Sequence, residues 1–371
     1  MRAQVLEAFN TPYVMKSVSP PATPTGQDIL INVKAASYCH TDAVFASGAM
    51  WQDLPRVGSH EFAGIIVAMG PDVLPTLGLK VGMSVGVPGR AFHSCGSCYQ
   101  CQNNDGDPEH YGVYCTKAGN LGLSSDGGFQ DFCIADSRQV APMPSNMSAV
   151  ETAPLMCAGL TIWNALERGG VQLEKNGGAG LTVAISGAGG GLGHLGVQFA
   201  VKLGCKVLAI DASDVALDLI RRVVKELGPQ GSNVTIVDVR AEKAEEVRKS
   251  VFGEPEPNLE GEKGADALLV LPEAQQALEY GMKLLKDHAT CVLVSFPKDG
   301  FRIQPRDLVF RHIKMVGVLV GRNRQLRAML NFAAQEGIRA MSKIYSLEQL
   351  NTLVEHYHDG ASGKLVVDMD L

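Results

Sequence analysis

The feature that most constrains this chain is a strand, a glycine-rich turn and a helix in direct succession. Thr182–Ser186 is an apolar, β-branched run, Gly187, Ala188, Gly189, Gly190, Gly191, Leu192 and Gly193 form the turn, and Leu192–Leu203 has helical character. A second strand-like run, Lys206–Ile210, and a second helical one, Ser213–Leu227, follow at once. Alternation of this kind predicts βαβ units on a parallel sheet. Glycines in such a turn let the backbone approach a pyrophosphate, whose charge meets free N–H groups and the positive end of the helix dipole. A strict G-x-G-x-x-G is not met, because its sixth position is Leu192; Gly187, Gly190 and Gly193 fit a variant of it. The next strand ends at Asp211, about twenty residues on, where a carboxylate accepts hydrogen bonds from the adenosine ribose and repels a 2′-phosphate. Ala212, Ser213 and Asp214 supply no cation for such a phosphate. NAD is therefore expected rather than NADP.

At 371 residues the chain exceeds the size at which one core keeps growing, so two domains are expected. Residues 1 to about 155 are rich in Gly, Pro and short β-branched runs such as Ile29–Val33 and Gly64–Val67, which predicts a strand-dominated domain. The alternating pattern starts near Ala158. Within it, Val234–Val239 reads as a strand, Ala241–Val251 as an exposed charged helix and Gly253–Lys263 as a surface loop. Sheet strands resume at Ala267–Leu271 and Thr290–Ser295, and Lys364–Asp368 near the C-terminus reads as an edge strand. A formal charge of -6 and a pI near 5.9 exclude a nucleic-acid ligand. No run of eighteen uncharged apolar residues predicts a membrane span, and Met1–Met15 lacks the form of a secretory signal, so a cytoplasmic location is expected.

Cys95, Cys98, Cys101 and Cys115 suit a metal better than disulfides, because a reducing compartment keeps thiols free and Zn²⁺ favours tetrahedral sulfur. Cys39, His60 and Cys157 make a second candidate set. Cys, His and Cys are three protein ligands that leave one zinc position open. Of nine cysteines this leaves Cys133, Cys205 and Cys291, which read as buried free thiols. An open zinc site polarises a carbonyl or stabilises an alkoxide, and a nicotinamide beside it exchanges hydride at the same carbon. The chemistry expected is alcohol to aldehyde or ketone, reversibly.

With these residues in view, the chain resembles the zinc-containing alcohol dehydrogenases of the medium-chain dehydrogenase/reductase superfamily, in particular the fungal and bacterial NAD-dependent group. The matching segments are Cys39-His40-Thr41-Asp42, Gly58–Gly64, Cys95–Cys101, Cys157–Thr161, the Gly187 turn, Val207–Asp211, Val292–Ser295 and Val316–Gly321. The resemblance implies an α/β architecture: a β-rich GroES-like catalytic domain over 1–157, a doubly wound Rossmann NAD-binding domain over 158–313, and a return to the catalytic domain over 314–371. It implies that Cys39, His60 and Cys157 bind a catalytic zinc, with Glu61 able to approach the metal, and that Cys95, Cys98, Cys101 and Cys115 bind a structural one. Asp42 would fix the His60 tautomer, Thr41 would take the substrate proton and Thr161 would pack on the nicotinamide. His40, Val294, Val320 and Lys364 would complete the cofactor contacts. A homotetramer or homodimer joined through the cofactor domains is implied as well.

The chain departs from the family at several places. Val44 stands where a relay histidine is usual, and Ser59 replaces a glycine. The interval from Cys101 to Cys115 is lengthened, which a loop tolerates at modest entropic cost. Trp51 and Arg90–His93 fall at the pocket wall, where Arg90 or His93 would favour a polar or anionic substrate. Two alternatives stand beside this reading: an NADP-dependent reductase of bulky aldehydes, as in the cinnamyl-type branch, which Asp211 disfavours, and a zinc-site homologue without turnover.

Overall fold

The computed structural model describes residues 1–50, 53–103, 112–259 and 261–371. Two compact units are present: Met1–Leu160 with Val320–Leu371, and Thr161–Leu319.

The first unit is built on the long strand Asp28–Tyr38. Ile29, Ile31 and Val33 point into the core while the intervening residues stay partly exposed, the period of two that a half-buried strand requires. That strand pairs antiparallel with Glu61–Met69 on one side, and with Phe132–Asp136 and Lys364–Asp368 along the other. The sheet continues through Ser84–Pro88 to Ala141–Pro142, and beyond Lys364–Asp368 to Ser342–Tyr345. Lys364–Asp368 is therefore an interior strand, not the edge expected: it lies between Asp28–Tyr38 and a parallel partner, Ser342–Tyr345. Its buried residues Lys364, Leu365, Val366 and Val367 are covered as an interior strand's must be.

The second unit holds six parallel strands in the order Val234–Asp238, Lys206–Asp211, Thr182–Ser186, Ala265–Val270, Leu285–Leu293, Lys314–Gly317. Numbered along the chain this is 3-2-1-4-5-6, the doubly wound arrangement with its crevice at the carboxyl ends of the central strands. Thr182–Ser186 is buried at all five positions, as befits a central parallel strand covered on both faces. The helix Asp214–Glu226 is capped by the Ser213 hydroxyl, which accepts from the Ala216 N–H at 3.2 Å, and it buries Ala216, Leu219, Ile220 and Val223 along one stripe. The charged segment forms the helix Ala244–Phe252, with Ala244 and Val247 its buried residues. Lys314–Gly317 is the last strand of this sheet, so the chain re-enters the first unit at Val320, six residues beyond the boundary expected at 314.

Candidate metal centres and cofactor site

Cys39, His60 and Cys157 each sit at the end of an element, which fixes them in place. Cys39 precedes the helix His40–Ala46, His60 precedes the strand Glu61–Met69, and Cys157 precedes the helix Ala158–Arg168. Their ligand atoms lie within 4.8 Å of one another. Asp42 ties the arrangement together from a position that is 1% exposed. Its carboxylate accepts from the Cys39 N–H at 2.9 Å, the Ser59 N–H at 3.2 Å and His60 Nδ1 at 3.1 Å. With Nδ1 donating to Asp42, Nε2 is the ring nitrogen left for a metal that displaces its proton, and it is buried with no hydrogen-bond partner among the described residues. Ser59, where a glycine is usual, adopts φ 71° and bonds through its hydroxyl to the carbonyls of Ser37 and Glu61.

Charge in this cluster is strongly coupled. The Cys157 thiol donates to Cys39, which with Lys364 and His60 nearby holds Cys39 well below the usual thiol range and leaves Cys157 above it. Burial disfavours the His60 cation, but Asp42 beside it outweighs that effect and raises His60. Burial also pushes the Glu61 carboxyl up to about 7 against the pull of Lys364. Glu61 Oε1 is bonded to the Lys364 ammonium, which also donates to the Tyr38 carbonyl at 3.0 Å, while Glu61 Oε2 has no partner among the described residues. Two buried polar atoms without partners among the described residues, His60 Nε2 and Glu61 Oε2, set beside two thiols, fit a soft divalent cation.

The second cysteine set is equally compact, all four Sγ lying within 4.8 Å. Cys98 Sγ is 3.6 Å from Cys101 Sγ and 3.8 Å from Cys115 Sγ, close to the ~3.8 Å edge of a tetrahedron built on ~2.3 Å zinc–sulfur bonds. N–H groups of Ser97 and Cys98 and the Ser97 hydroxyl pull Cys95 down to about 5, whereas burial raises Cys101 to about 12. Cys115 closes this set although its approach runs through the lengthened interval. The segment Asn104–Pro108 of that interval lies outside the described residues, as does Trp51.

In the second unit the turn has the form the sequence predicts. Gly187 has φ 79°, and a Cβ on Gly193 would lie 2.1 Å from the Gly187 carbonyl oxygen, so the helix Gly193–Lys202 can approach the turn only with glycine there. On Gly190 a Cβ would meet only that same oxygen, at 3.3 Å, leaving that face of the turn open. Asp211 braces the turn by accepting from the Gly189 N–H at 2.9 Å and its own neighbour Ala212 N–H at 2.7 Å. Val294 donates its N–H to Val270 at 3.1 Å and Ser295 bonds to Pro272, which itself flanks Gly187, so these residues share the crevice end of the sheet. Thr161 is buried.

The remaining expected cofactor residues, His40, Val320 and Lys364, belong to the first unit. His40 Nδ1 bonds to the Tyr357 hydroxyl at 2.8 Å, and Lys364 is 3% exposed. Val320 lines a small cavity with Arg90, Pro88, Gln139 and Arg322. His93 does not join them: it is exposed and bonded to Asp28 at 2.6 Å, because the backbone turns outward after Ala91.

Residues 25–145 match the alcohol dehydrogenase GroES-like domain family, and residues 191–335 match the zinc-binding dehydrogenase family. Over 373 aligned residues the chain is 31% identical to an alcohol dehydrogenase of Geobacillus stearothermophilus, with 100% of each chain covered. This chain belongs to the zinc-type medium-chain alcohol dehydrogenase family. An alcohol dehydrogenase 1 of Emericella nidulans is 30% identical, covering 99% of this chain and 97% of the relative. The solved alcohol dehydrogenase of Aeropyrum pernix superposes with a TM-score of 0.81 at 25% identity, covering 99% of this chain and 100% of that one. The expected family and its two-part architecture are therefore those found.

Three features of this family member escape its motifs. His194 is fully buried in the turn's own helix, and its Nδ1 must donate to the Gly190 carbonyl 2.9 Å away, since a carbonyl only accepts. Its only sequence signal is a polar residue inside an apolar helix. Lys364 is the buried partner of Glu61, and Arg240 bonds both Asp238 and Asp214; neither pairing is signalled by the neighbouring residues in sequence.

Proposed function

We propose that this chain is a zinc-dependent, NAD-linked alcohol dehydrogenase that interconverts an alcohol and its aldehyde or ketone. The observation that carries this reading is the Cys39, His60 and Cys157 set, two of its members buried and the third half-buried, with His60 Nε2 unpartnered: three donors of the right softness and no fourth in the cluster among the described residues. Two zincs are proposed per chain, the second on Cys95, Cys98, Cys101 and Cys115. When bound, the catalytic zinc supplies a Lewis acid for the substrate oxygen, and NAD takes or returns hydride at the carbon that bears it. Asp42 holds His60 in the tautomer that presents Nε2. Glu61, with one oxygen tied to Lys364 and the other untied, gives the site a second anionic group beside the thiolates. Thr41 receives the substrate hydroxyl proton, and because Val44 cannot relay it, the proton leaves through water. The turn Gly187–Gly193 receives the pyrophosphate, Asp211 the adenosine ribose, and Thr161 and Val294 further parts of the dinucleotide.

The test is zinc content on purified protein, with NADH and NADPH titrated by nicotinamide fluorescence and alcohols screened for NAD reduction. Two zincs per chain, tighter NADH binding and turnover of at least one alcohol are expected. Absence of both zinc and nucleotide binding would end the reading, and binding without turnover on any alcohol or aldehyde would favour the silent homologue.

Nine free cysteines support a reducing, cytoplasmic setting, and no helix among the described residues is long and apolar enough to cross a membrane. A homo-oligomer is proposed through the second unit. Its last strand, Lys314–Gly317, has no neighbour on its outer side among the described residues, and Val309 and Phe310 just before it are 71% and 80% exposed. Phe310→Asp is expected to shift the protein toward monomer in light scattering; an unchanged mass would remove this surface from consideration.

A further inference from the structure

The adenosine end of the proposed dinucleotide site carries an arginine that neither the glycine turn nor Asp211 explains. Strands Lys206–Asp211 and Val234–Asp238 run parallel in a register that sets Asp211 opposite Asp238, and the Val239 N–H donates to the Asp211 carbonyl at 3.2 Å. Arg240, two residues beyond Asp238, is thereby delivered to the strand ends that flank the crevice. Its Nε and Nη2 grip the Asp238 carboxylate from both sides, at 2.9 Å and 2.7 Å, and its backbone N–H adds a third bond at 3.0 Å. Nη2 also reaches Asp214 Oδ1 at 2.6 Å, in the first turn of the helix Asp214–Glu226 that follows Asp211. The guanidinium thus bridges the end of one strand and the start of the helix Asp214–Glu226, while Nη1 bonds to nothing among the described residues and Arg240 keeps 45% of its side-chain surface in solvent.

We infer that Arg240 is a second determinant of coenzyme choice, and that its clamp by Asp214 and Asp238 is what keeps it from serving a 2′-phosphate. Asp214 and Asp238 hold the guanidinium, Asp211 lies opposite Asp238 in the strand register, and the neighbouring Arg221 is itself paired to Asp218, so the three carboxylates outnumber Arg240 and repel a phosphate on the adenosine ribose. A planar guanidinium with a free Nη1 edge is nonetheless the group best shaped to bind phosphate. Loosening the clamp on the Asp214 side removes one repelling charge and releases one of the cation's two anchors. Asp214 is 84% exposed, so the change is local.

This inference rests on the dinucleotide reading above, and the experiment separates the two. NADH and NADPH dissociation constants are measured by nicotinamide fluorescence, at one fixed salt concentration, for the unaltered protein, Asp214→Asn and Arg240→Gln. Asp214→Asn is expected to shift the NADPH-to-NADH affinity ratio about tenfold toward NADPH, with NADH binding within about twofold of its starting value, and Arg240→Gln to shift the ratio the other way. A ratio unchanged in both variants while NADH still binds overturns the role of Arg240 and leaves the dinucleotide site standing. Failure of the unaltered protein to bind either nucleotide overturns both.

Discussion

His60→Ala is expected to lower kcat/KM for alcohol oxidation by on the order of 10³-fold or more while the fold persists. A Lewis acid at the substrate oxygen contributes several kcal/mol, and each 1.4 kcal/mol is a factor of ten in rate. Losing one of three protein ligands removes the zinc or leaves it misplaced, so the full contribution goes. The fold should survive, because Asp42 keeps two of its three bonds, to the Cys39 and Ser59 N–H groups, when the imidazole is gone. Zinc content falling from two per chain to one, with unchanged far-UV circular dichroism, would show that only this site was lost. Activity within tenfold of the unaltered protein would mean that the Cys39, His60 and Cys157 set is not where the chemistry happens.

What the sequence reveals about such a site depends on how local its parts are. The strand, turn and helix from Thr182 to Lys202 are legible because a central parallel strand is buried on both faces and its glycine turn must be close-packed, so the pattern is written in consecutive residues. Three of the four clustered thiols fall within seven positions for the same reason. Other features are set by pairings between distant strands. The short alternation in Lys364–Asp368 does not say that two strands will flank it, and it was their arrival that made it interior. The outward turn at Ala91 and His93, both at positive φ, is a backbone decision that residue types there do not announce, so His93 leaves the pocket wall for Asp28. Arg240 reaches Asp214 across 26 positions, and only the register of neighbouring parallel strands brings it there. A search of the residues next to Asp211 for a cation could not have found it.

The same distance separates what is legible from what is decisive at Glu61 and Lys364, which are 303 positions apart and expose 0% and 3% of their side chains. Burial opposes the ammonium, but Glu61 and Cys39 outweigh it and hold Lys364 above the ordinary lysine value. Lys364→Met removes the cation and leaves Glu61 buried beside two thiols, with the Tyr38 carbonyl short of a donor. Breaking a buried pair from one side costs ~3–5 kcal/mol, which lowers the unfolding midpoint by roughly 6–20 °C in a protein with units of this size. The loss depends on pH with a definite sign. Glu61 already lies at about 7 with Lys364 present, and without that cation it lies higher, whereas in the unfolded chain it returns to the ordinary carboxylate value. An acid whose pKa is raised on folding favours the folded state below its unfolded value and loses that contribution as pH rises through the folded one. The deficit of Lys364→Met is therefore smallest near about pH 5 and grows as pH passes the Glu61 value of about 7. Adding Glu61→Gln should recover most of it, since a neutral amide needs no counter-charge, and the double-mutant cycle isolates the pair from the rest of the site. A midpoint for Lys364→Met that stays within about 2 °C of the unaltered protein at pH 8, or a deficit that shrinks with rising pH, would show that Glu61 is neutral in the folded chain and that Lys364 is held there by the Tyr38 carbonyl alone.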